Sequence, residues 1–299
     1  MKIVITGGSG FVGSSLSAFL IEKGHAITAI GRSAQSRLAI SRHYEYRSAD
    51  TTEKGDWQET VNDADAVINL TGKTIFKYWR EAYKKQIYDS RILTTRNIVD
   101  ALPEGKDVRF LSTSAAGYYG DRDQEPLDES SPPGSDFLAT IGVAWEKEAY
   151  KAETKNARVA AMRFGIVFGK NGGALTRMLP VYKSFLGGPL GNGRQWFPWI
   201  HIHDLMAAID FLLHRKDISG PVNFCAPGAI TQKDLSRVLG RCLKRPSLLP
   251  VPAFLLRLFM GELGQSLLSS QRVVPRVLLK EGFSFNFPDV NSALMDLIA

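Results

Sequence analysis

Cysteine is nearly missing, with Cys225 and Cys242 the only two among 299 residues. So few thiols cannot staple a chain of this length, and reduced cysteines in a cytoplasmic protein are the simplest expectation. No Cys/His group has zinc-site spacing, so no metal is expected. Long apolar runs are missing as well. The opening Lys2-Ile3-Val4-Ile5-Thr6 is too short for the apolar core of a signal peptide. Pro252–Met260 is interrupted by Arg257 and falls short of the ~20 residues that span a bilayer. Export and membrane insertion are therefore not expected. Internal repeats, low-complexity tracts and nucleic-acid-reading motifs are also absent.

What remains is an average globular composition: 44% hydrophobic and 22% charged residues, with 27 Gly and 14 Pro. That balance excludes disorder as the main state, and the length suits one large α/β unit or two packed units. The net charge of +7 is concentrated in Lys77–Arg96 and in Arg241–Glu281. Such runs suit an anionic small molecule or a polyanion, and equally a solvated helix face.

Apolar runs alternate with helix-length segments through the first half. Strands are expected at Lys2–Thr6, Ala26–Gly31, Ala66–Leu70, Arg109–Ser112 and Ala157–Arg163, with helices at Gly13–Lys23, Glu81–Ala101 and Ile141–Ala152. This order predicts a Rossmann-like α/β fold with a doubly wound parallel sheet. The dinucleotide-binding domain is placed at 1–168, its sheet completed from part of 195–230. The substrate-side region is placed at 169–299 and includes a C-terminal subdomain at 246–299. Asp121–Asp136 reads as a surface loop, and the glycines of Gly187–Arg194 as loops shaping a second ligand site. Thr231-Gln-Lys-Asp234 has the form of a capping box, and Asp204 is expected to cap Leu205–His214. Asn291–Ile298 reads as an amphipathic terminal helix.

The clearest chemical signal is Thr6-Gly7-Gly8-Ser9-Gly10-Phe11-Val12-Gly13, between the first strand and the first helix. Gly7 supplies the tight turn, Gly10 close approach of backbone to a pyrophosphate, and Gly13 close packing of helix on strand. The helix N-terminus adds free N–H groups and partial positive charge. An NAD site usually carries an acid about 20 residues further on. Here the second strand ends Ile30-Gly31-Arg32-Ser33. Arg32, with Ser33 and Arg37, suits a 2′-phosphate instead, so NADP(H) is expected over NAD(H).

These residues, with Asp50-Thr51, Asn69-Leu70-Thr71-Gly72, Ser112-Thr113-Ser114 leading to Tyr119-Gly120, Arg163–Gly169 and Trp199–Asp204, carry a resemblance over nearly the whole chain. The sequence resembles an atypical, extended short-chain dehydrogenase/reductase of the NAD-dependent epimerase/dehydratase superfamily. Gly187–Gln195, Gly220–Pro227 and Gln271–Pro275 are similar to an epimerase-like subgroup with a C-terminal domain of unknown function. The resemblance implies cofactor contacts from Gly7, Ser9, Gly10, Phe11, Val12, Gly13, Asp50, Thr51, Leu70, Thr71 and Gly72. It also implies a homodimer through Glu81–Ala101 and Ile141–Ala152.

One departure is important. Reductases of this superfamily exchange a proton through a Tyr whose pKa is lowered by a Lys four residues later, and no such pair exists here. Alignment on Trp145-Glu146 puts Leu138 and Gly142 in the two places, where the resembled subgroup commonly has Cys for the Lys. Ser114 occupies the place of the family serine, with Thr113 as its fallback, and Tyr118 is the surrogate proton donor expected from position. Arg91, in the place of the family asparagine, Tyr119, Lys73, Arg194, Trp196 and His201 are the expected substrate contacts. Two functions follow: an NADP(H)-dependent oxidoreductase or epimerase-like enzyme acting on a small molecule, or a non-enzymatic NADP(H)-responsive binding protein. A nucleic-acid or membrane-surface role is a distant third.

Overall fold

The computed structural model describes residues 1–170 and 172–298. Its main sheet has seven strands: β1 Lys2–Thr6, β2 Ala26–Gly31, β3 Tyr44–Ser48, β4 Ala66–Asn69, β5 Arg109–Ala115, β6 Arg158–Phe164 and β7 Gly220–Phe224. All pairings are parallel, in the order β7-β6-β5-β4-β1-β2-β3. The order reverses between β1 and β4, the switch point where doubly wound sheets bind ligands at the strands' C-terminal ends.

Helices cover both faces, as parallel strands with buried sides require. They are α1 Phe11–Glu22, α2 Glu81–Ala101, α3 Phe137–Tyr150, α4 Ile202–His214, α5 Gln232–Leu243, α6 Ala253–Met260 and α7 Val290–Ile298, with a further nine-residue helix at Leu175–Lys183 and several shorter turns. Successive residues of β1 split between two cores. Ile3 and Ile5 join Leu16 and Leu20 of α1 and Leu205 and Ile209 of α4; Val4 joins Ile98 and Val99 of α2 and Ala149 of α3. A third core packs Phe168, Trp199, Leu235, Leu239 and Leu294, tying α5 and α7 to the substrate-side region.

β3 was not among the strands expected from sequence, and β7 falls within the 195–230 stretch expected to complete the sheet, in which no strand had been placed. β3, with sequence YEYRS, carries polar residues because it is an edge and only partly covered. β7 begins Gly220-Pro221, and a proline is tolerated there because β7 is the opposite edge. The helix expected at Ile141 starts at Phe137, where the Asp136 carboxylate accepts from Ala139 N–H at 2.9 Å.

Asp204 is a correction. Helix α4 begins at Ile202, and its cap is His201, whose Nδ1 accepts from His203 N–H at 3.1 Å. Asp204 lies within the first turn, fully buried, and accepts from the N–H groups of Asn286 and Phe287, each at 2.9 Å. The Thr231 cap does form, its hydroxyl accepting from Asp234 N–H at 3.2 Å.

Candidate functional site

The strand ends are levelled by register, with Thr6 opposite Asn69 and Asn69 opposite Ser112. A buried polar chain fixes them. Thr6 Oγ1 donates to Asn69 Oδ1, Asn69 Nδ2 donates to Thr95 Oγ1, and Trp145 Nε1 donates to the same Thr95 oxygen, all at 2.9 Å. Asn69 Oδ1 also accepts from Thr71 N–H at 3.1 Å, which orients the loop after β4.

Above these ends lies a groove of about 230 Å³. Gly7, Ser9, Gly10, Arg32, Ser33, Asp50, Thr51, Leu70, Thr71 and Gly72 all line it, and Lys73 and Ser90 close one end. Gly7 has φ +74°, and a Cβ there would meet the Leu70 carbonyl oxygen at 2.7 Å. A Cβ on Gly13 would lie 2.3 Å from the Gly7 carbonyl oxygen, so α1 sits directly on the turn. A Cβ on Gly10 would meet only that same oxygen, at 3.1 Å, leaving the space above the turn open. No side chain caps α1, and Ser14 is the first residue whose N–H bonds back to the turn's end, at Gly10 O. The N–H groups of Phe11, Val12 and Gly13 are therefore left without an acceptor from the preceding turn, although these three expected cofactor residues lie behind Gly7, Ser9 and Gly10 and do not themselves line the groove. The Phe11 ring lies where Cβ atoms on Gly169 and Gly172 would stand, clamping the turn to the strand Ile166–Gly169.

Among the described residues, Asp50 is the only carboxylate lining the groove. Burial works against its ionisation, but hydrogen bonds from Thr52 and the Arg32 charge hold its pKa below the ordinary value. Its Oδ1 is taken by the N–H and hydroxyl of Thr52, while Arg32 is exposed at the groove's rim. Arg37 is also exposed, and it lies outside the groove lining.

Beside the groove, the Arg91 guanidinium would touch a Cβ on Gly72 at 3.1 Å and stacks on Trp145 at 5.1 Å. Its Nη1 donates to the carbonyls of Lys73 and Ile87 at 3.1 and 3.0 Å. No carboxylate pairs with it among the described residues, and burial lowers its pKa to about 10. Three of the other five basic residues of 77–96 stand in ion pairs: Lys84 with Glu81 and Glu262, Lys85 with Asp89, Arg96 with Glu148.

Ser114 enters a buried network that sequence reading missed. Its Oγ donates to Glu146 Oε1 at 2.7 Å, and Glu146 takes Arg163 in a two-pronged pair at 2.8 Å per bond. Arg163 Nη1 donates to Tyr119 Oη at 2.9 Å, and that hydroxyl donates to Asn223 Oδ1 at 2.7 Å. Burial pushes the Tyr119 phenol well above its usual range. Glu129 accepts from the N–H groups of Asn223 and Val277, and burial raises its pKa. Arg163 and Glu146 stand in the quoted Arg163–Gly169 and Trp145-Glu146 segments, so a search for oppositely charged residues there would have found them.

Tyr118 lies with its ring 3.6 Å from the Arg163 guanidinium. A Cβ on Gly142 would meet Tyr118 Cα and Cβ at 3.3 Å, and a Cβ on Gly117 would meet Leu138 Cβ at 3.3 Å. The turn bearing Tyr118 thus packs on both positions where the family's Tyr and Lys would stand. Glycine at 142 is what admits it.

The remaining expected contacts scatter. Lys73 lines the groove with its Nζ 5.7 Å from the Tyr83 ring centre. Arg194 is exposed. Trp196 donates through Nε1 to Gln124 and carries Arg272 on its ring at 4.8 Å. His201 is buried against Phe287, with Nε2 3.4 Å from Asp296 of α7, so its imidazole is engaged by the C-terminal segment. A larger cavity, about 890 Å³, lies on the basic side of α5, away from the sheet's C-terminal edge. No helix among the described residues is long and apolar enough to cross a membrane.

Comparison with known proteins adds to this geometry. An epimerase family protein homolog of Arabidopsis thaliana, described as chloroplastic, is 38% identical over 98% of this chain and 86% of its own length. The human epimerase family protein SDR39U1, solved with NADPH, is 28% identical and superposes with a TM-score of 0.87 over 100% of this chain and 99% of that one. A nucleoside-diphosphate sugar epimerase from Corynebacterium glutamicum is 29% identical, TM-score 0.76, and this chain covers 58% of its length. Residues 251–297 match a domain of unknown function, DUF1731. Residues 3–225, which hold the glycine turn, the groove and the Ser114 network, match the NAD dependent epimerase/dehydratase family, and the chain belongs to it.

Proposed function

We propose that this protein is an NADP(H)-dependent, epimerase-like oxidoreductase acting on a small molecule through an altered proton-transfer site. The observation that carries the reading is the groove itself. It joins uncapped N–H groups of α1 to a rim cation, Arg32, where an acid would select NAD. The human relative solved with NADPH supports the same choice. The turn residues Gly7 to Gly13 would hold the pyrophosphate, Arg32 and Ser33 the 2′-phosphate, Asp50 and Thr51 the adenine side, and Leu70 to Gly72 the path to the reacting ring. When bound, the nicotinamide supplies hydride.

The chain's own residues supply the proton and the alignment. Tyr118 is the phenol packed against the place vacated by the family's pair, and the Arg163 face beneath it fixes its ring. Ser114 commits its proton to Glu146, so we assign it the positioning of Glu146, Arg163 and hence Tyr118. Thr113 Oγ1, like Thr71 Oγ1 and Ser112 Oγ, is buried without a hydrogen-bond partner, and we assign it, as the neighbour of Ser114, to meet a substrate oxygen. The second reading, a non-enzymatic NADP(H)-responsive protein, is favoured by Leu138 and Gly142, neither of which moves a proton.

Substrate-dependent oxidation of NADPH across a panel of carbonyl compounds and nucleotide sugars separates the two. Turnover is expected, with Tyr118→Phe lowering kcat roughly 100-fold or more at unchanged NADPH affinity. Thr113→Val is expected to lower kcat/KM, and Ser114→Ala to lower folding stability as well as kcat. Absence of turnover on the panel with NADPH tightly bound supports the binding-protein reading, and full activity in Tyr118→Phe overturns the assigned role of that residue.

A further inference from the structure

At the opposite end of the sheet, where β2 begins, three side chains from distant parts of the chain converge. His25 lies in the turn between α1 and β2, and Asp210 and His214 lie one turn apart at the end of α4. Each offers one ligand atom, all within 4.8 Å of one another. We propose that His25, Asp210 and His214 form a binding site for a divalent transition metal of zinc type, which staples the α1–β2 turn to the C-terminus of α4.

The distances distinguish a metal site from a hydrogen-bonded triad. Asp210 Oδ1 stands 3.8 Å from His25 Nε2 and 3.5 Å from His214 Nδ1. Both are too long for hydrogen bonds, which close at about 2.7–3.2 Å. The Asp210–His214 separation matches the edge of a tetrahedron around an ion with bonds of about 2.0–2.2 Å, which is about 3.4 Å, and the wider Asp210–His25 separation closes to it with a small movement of the ring. Asp210 Oδ1 is buried and has no hydrogen-bond partner. A carboxylate oxygen taken from water and left bare is costly, and a cation coordinated there removes that cost. His25 is 6% exposed and packs against the His214 ring, centres 5.8 Å apart, so two imidazoles and one carboxylate face a common point. Two nitrogens and one oxygen suit zinc, cobalt, nickel or copper better than magnesium or calcium, and leave a fourth position for water.

Two contacts compete: His214 Nδ1 lies 2.9 Å from the Asp210 carbonyl, and Lys23 Nζ lies 3.9 Å from Asp210 Oδ2. The Met1 amino group lies 3.3 Å from His25 Nδ1, the ring nitrogen other than the one that faces Asp210. His214 and Lys23 are both more than half exposed, so a ring turn and a swing of the lysine clear the site. Spacing along the sequence gave no hint, because residues 25, 210 and 214 meet only through the packing of α1 on α4.

The test uses the full chain, stripped with chelator and titrated with Zn²⁺ by calorimetry, with Co²⁺ absorption as the second readout. One ion per chain is expected at micromolar affinity, with a rise in Tm and a four- or five-coordinate Co²⁺ spectrum lacking thiolate charge transfer. His214→Ala, at an exposed position, and Asp210→Asn should each weaken Zn²⁺ at least about tenfold while leaving NADPH affinity unchanged. Absence of stoichiometric Zn²⁺ binding, binding equally tight in both variants, or a thiolate band pointing to Cys242 would each overturn the site.

Discussion

Gly13 bears the tightest constraint of the cofactor turn, since any Cβ would press the Gly7 carbonyl at 2.3 Å and neither partner is a flexible side chain. Gly13→Ala is expected to destabilise the fold by about 1–3 kcal/mol and to abolish NADPH binding, read by denaturant titration and calorimetry. His201 makes a pH prediction. Its pKa is lowered mainly by burial, with Asp296 and Asp204 opposing and His203 assisting. The unfolded chain takes up the proton near the ordinary 6.5, and the folded chain resists it. Stability is therefore lost as pH falls below 6.5. His201→Asn keeps an N-cap acceptor and should flatten that slope between about pH 6.5 and 5 in thermal unfolding; an unchanged slope would show that His201 is not its source. The glycine turn was legible in the sequence because its constraints act between neighbours on the chain. The Glu146–Arg163 pair and the Gly142–Tyr118 contact were not, since each joins residues at least 17 apart on different elements.

At the scale of elements, α4 shows why a capping residue can be misplaced by reading alone. Asp204 has the right residue type for a cap, but the helix starts two residues earlier and the carboxylate serves the 286–287 backbone instead. Asp204→Ala takes the acceptor from two part-buried N–H groups and is expected to cost about 1–3 kcal/mol, with loosening of the C-terminal segment seen as faster amide exchange at Asn286 and Phe287. A loss under about 0.5 kcal/mol would mean that water replaces the carboxylate. The five central strands were legible from their apolar runs because both their faces are covered. β3 was not, and β7 was legible only as an unplaced part of 195–230, because an edge strand tolerates the charged residues and the proline that argue against a strand elsewhere.

The molecule as a whole places its chemistry by topology. Parallel strands bring Thr6, Asn69 and Ser112 to one level, the order reverses between β1 and β4, and α1 points its N-terminus into the gap so formed. The third core, around Phe168, Trp199 and Leu294, then closes the substrate side, and residues such as His201 that looked available in sequence are spent on it. The account rests on the groove taking a phosphorylated dinucleotide through Arg32. Calorimetric titration of the cofactor-stripped protein with NADPH and NADH, alongside Arg32→Asp, tests it most directly. Micromolar NADPH binding is expected, weakened about 10- to 100-fold in the variant while NADH binding holds or improves. NADPH affinity unchanged in Arg32→Asp, or no nucleotide bound by either protein, would contradict it.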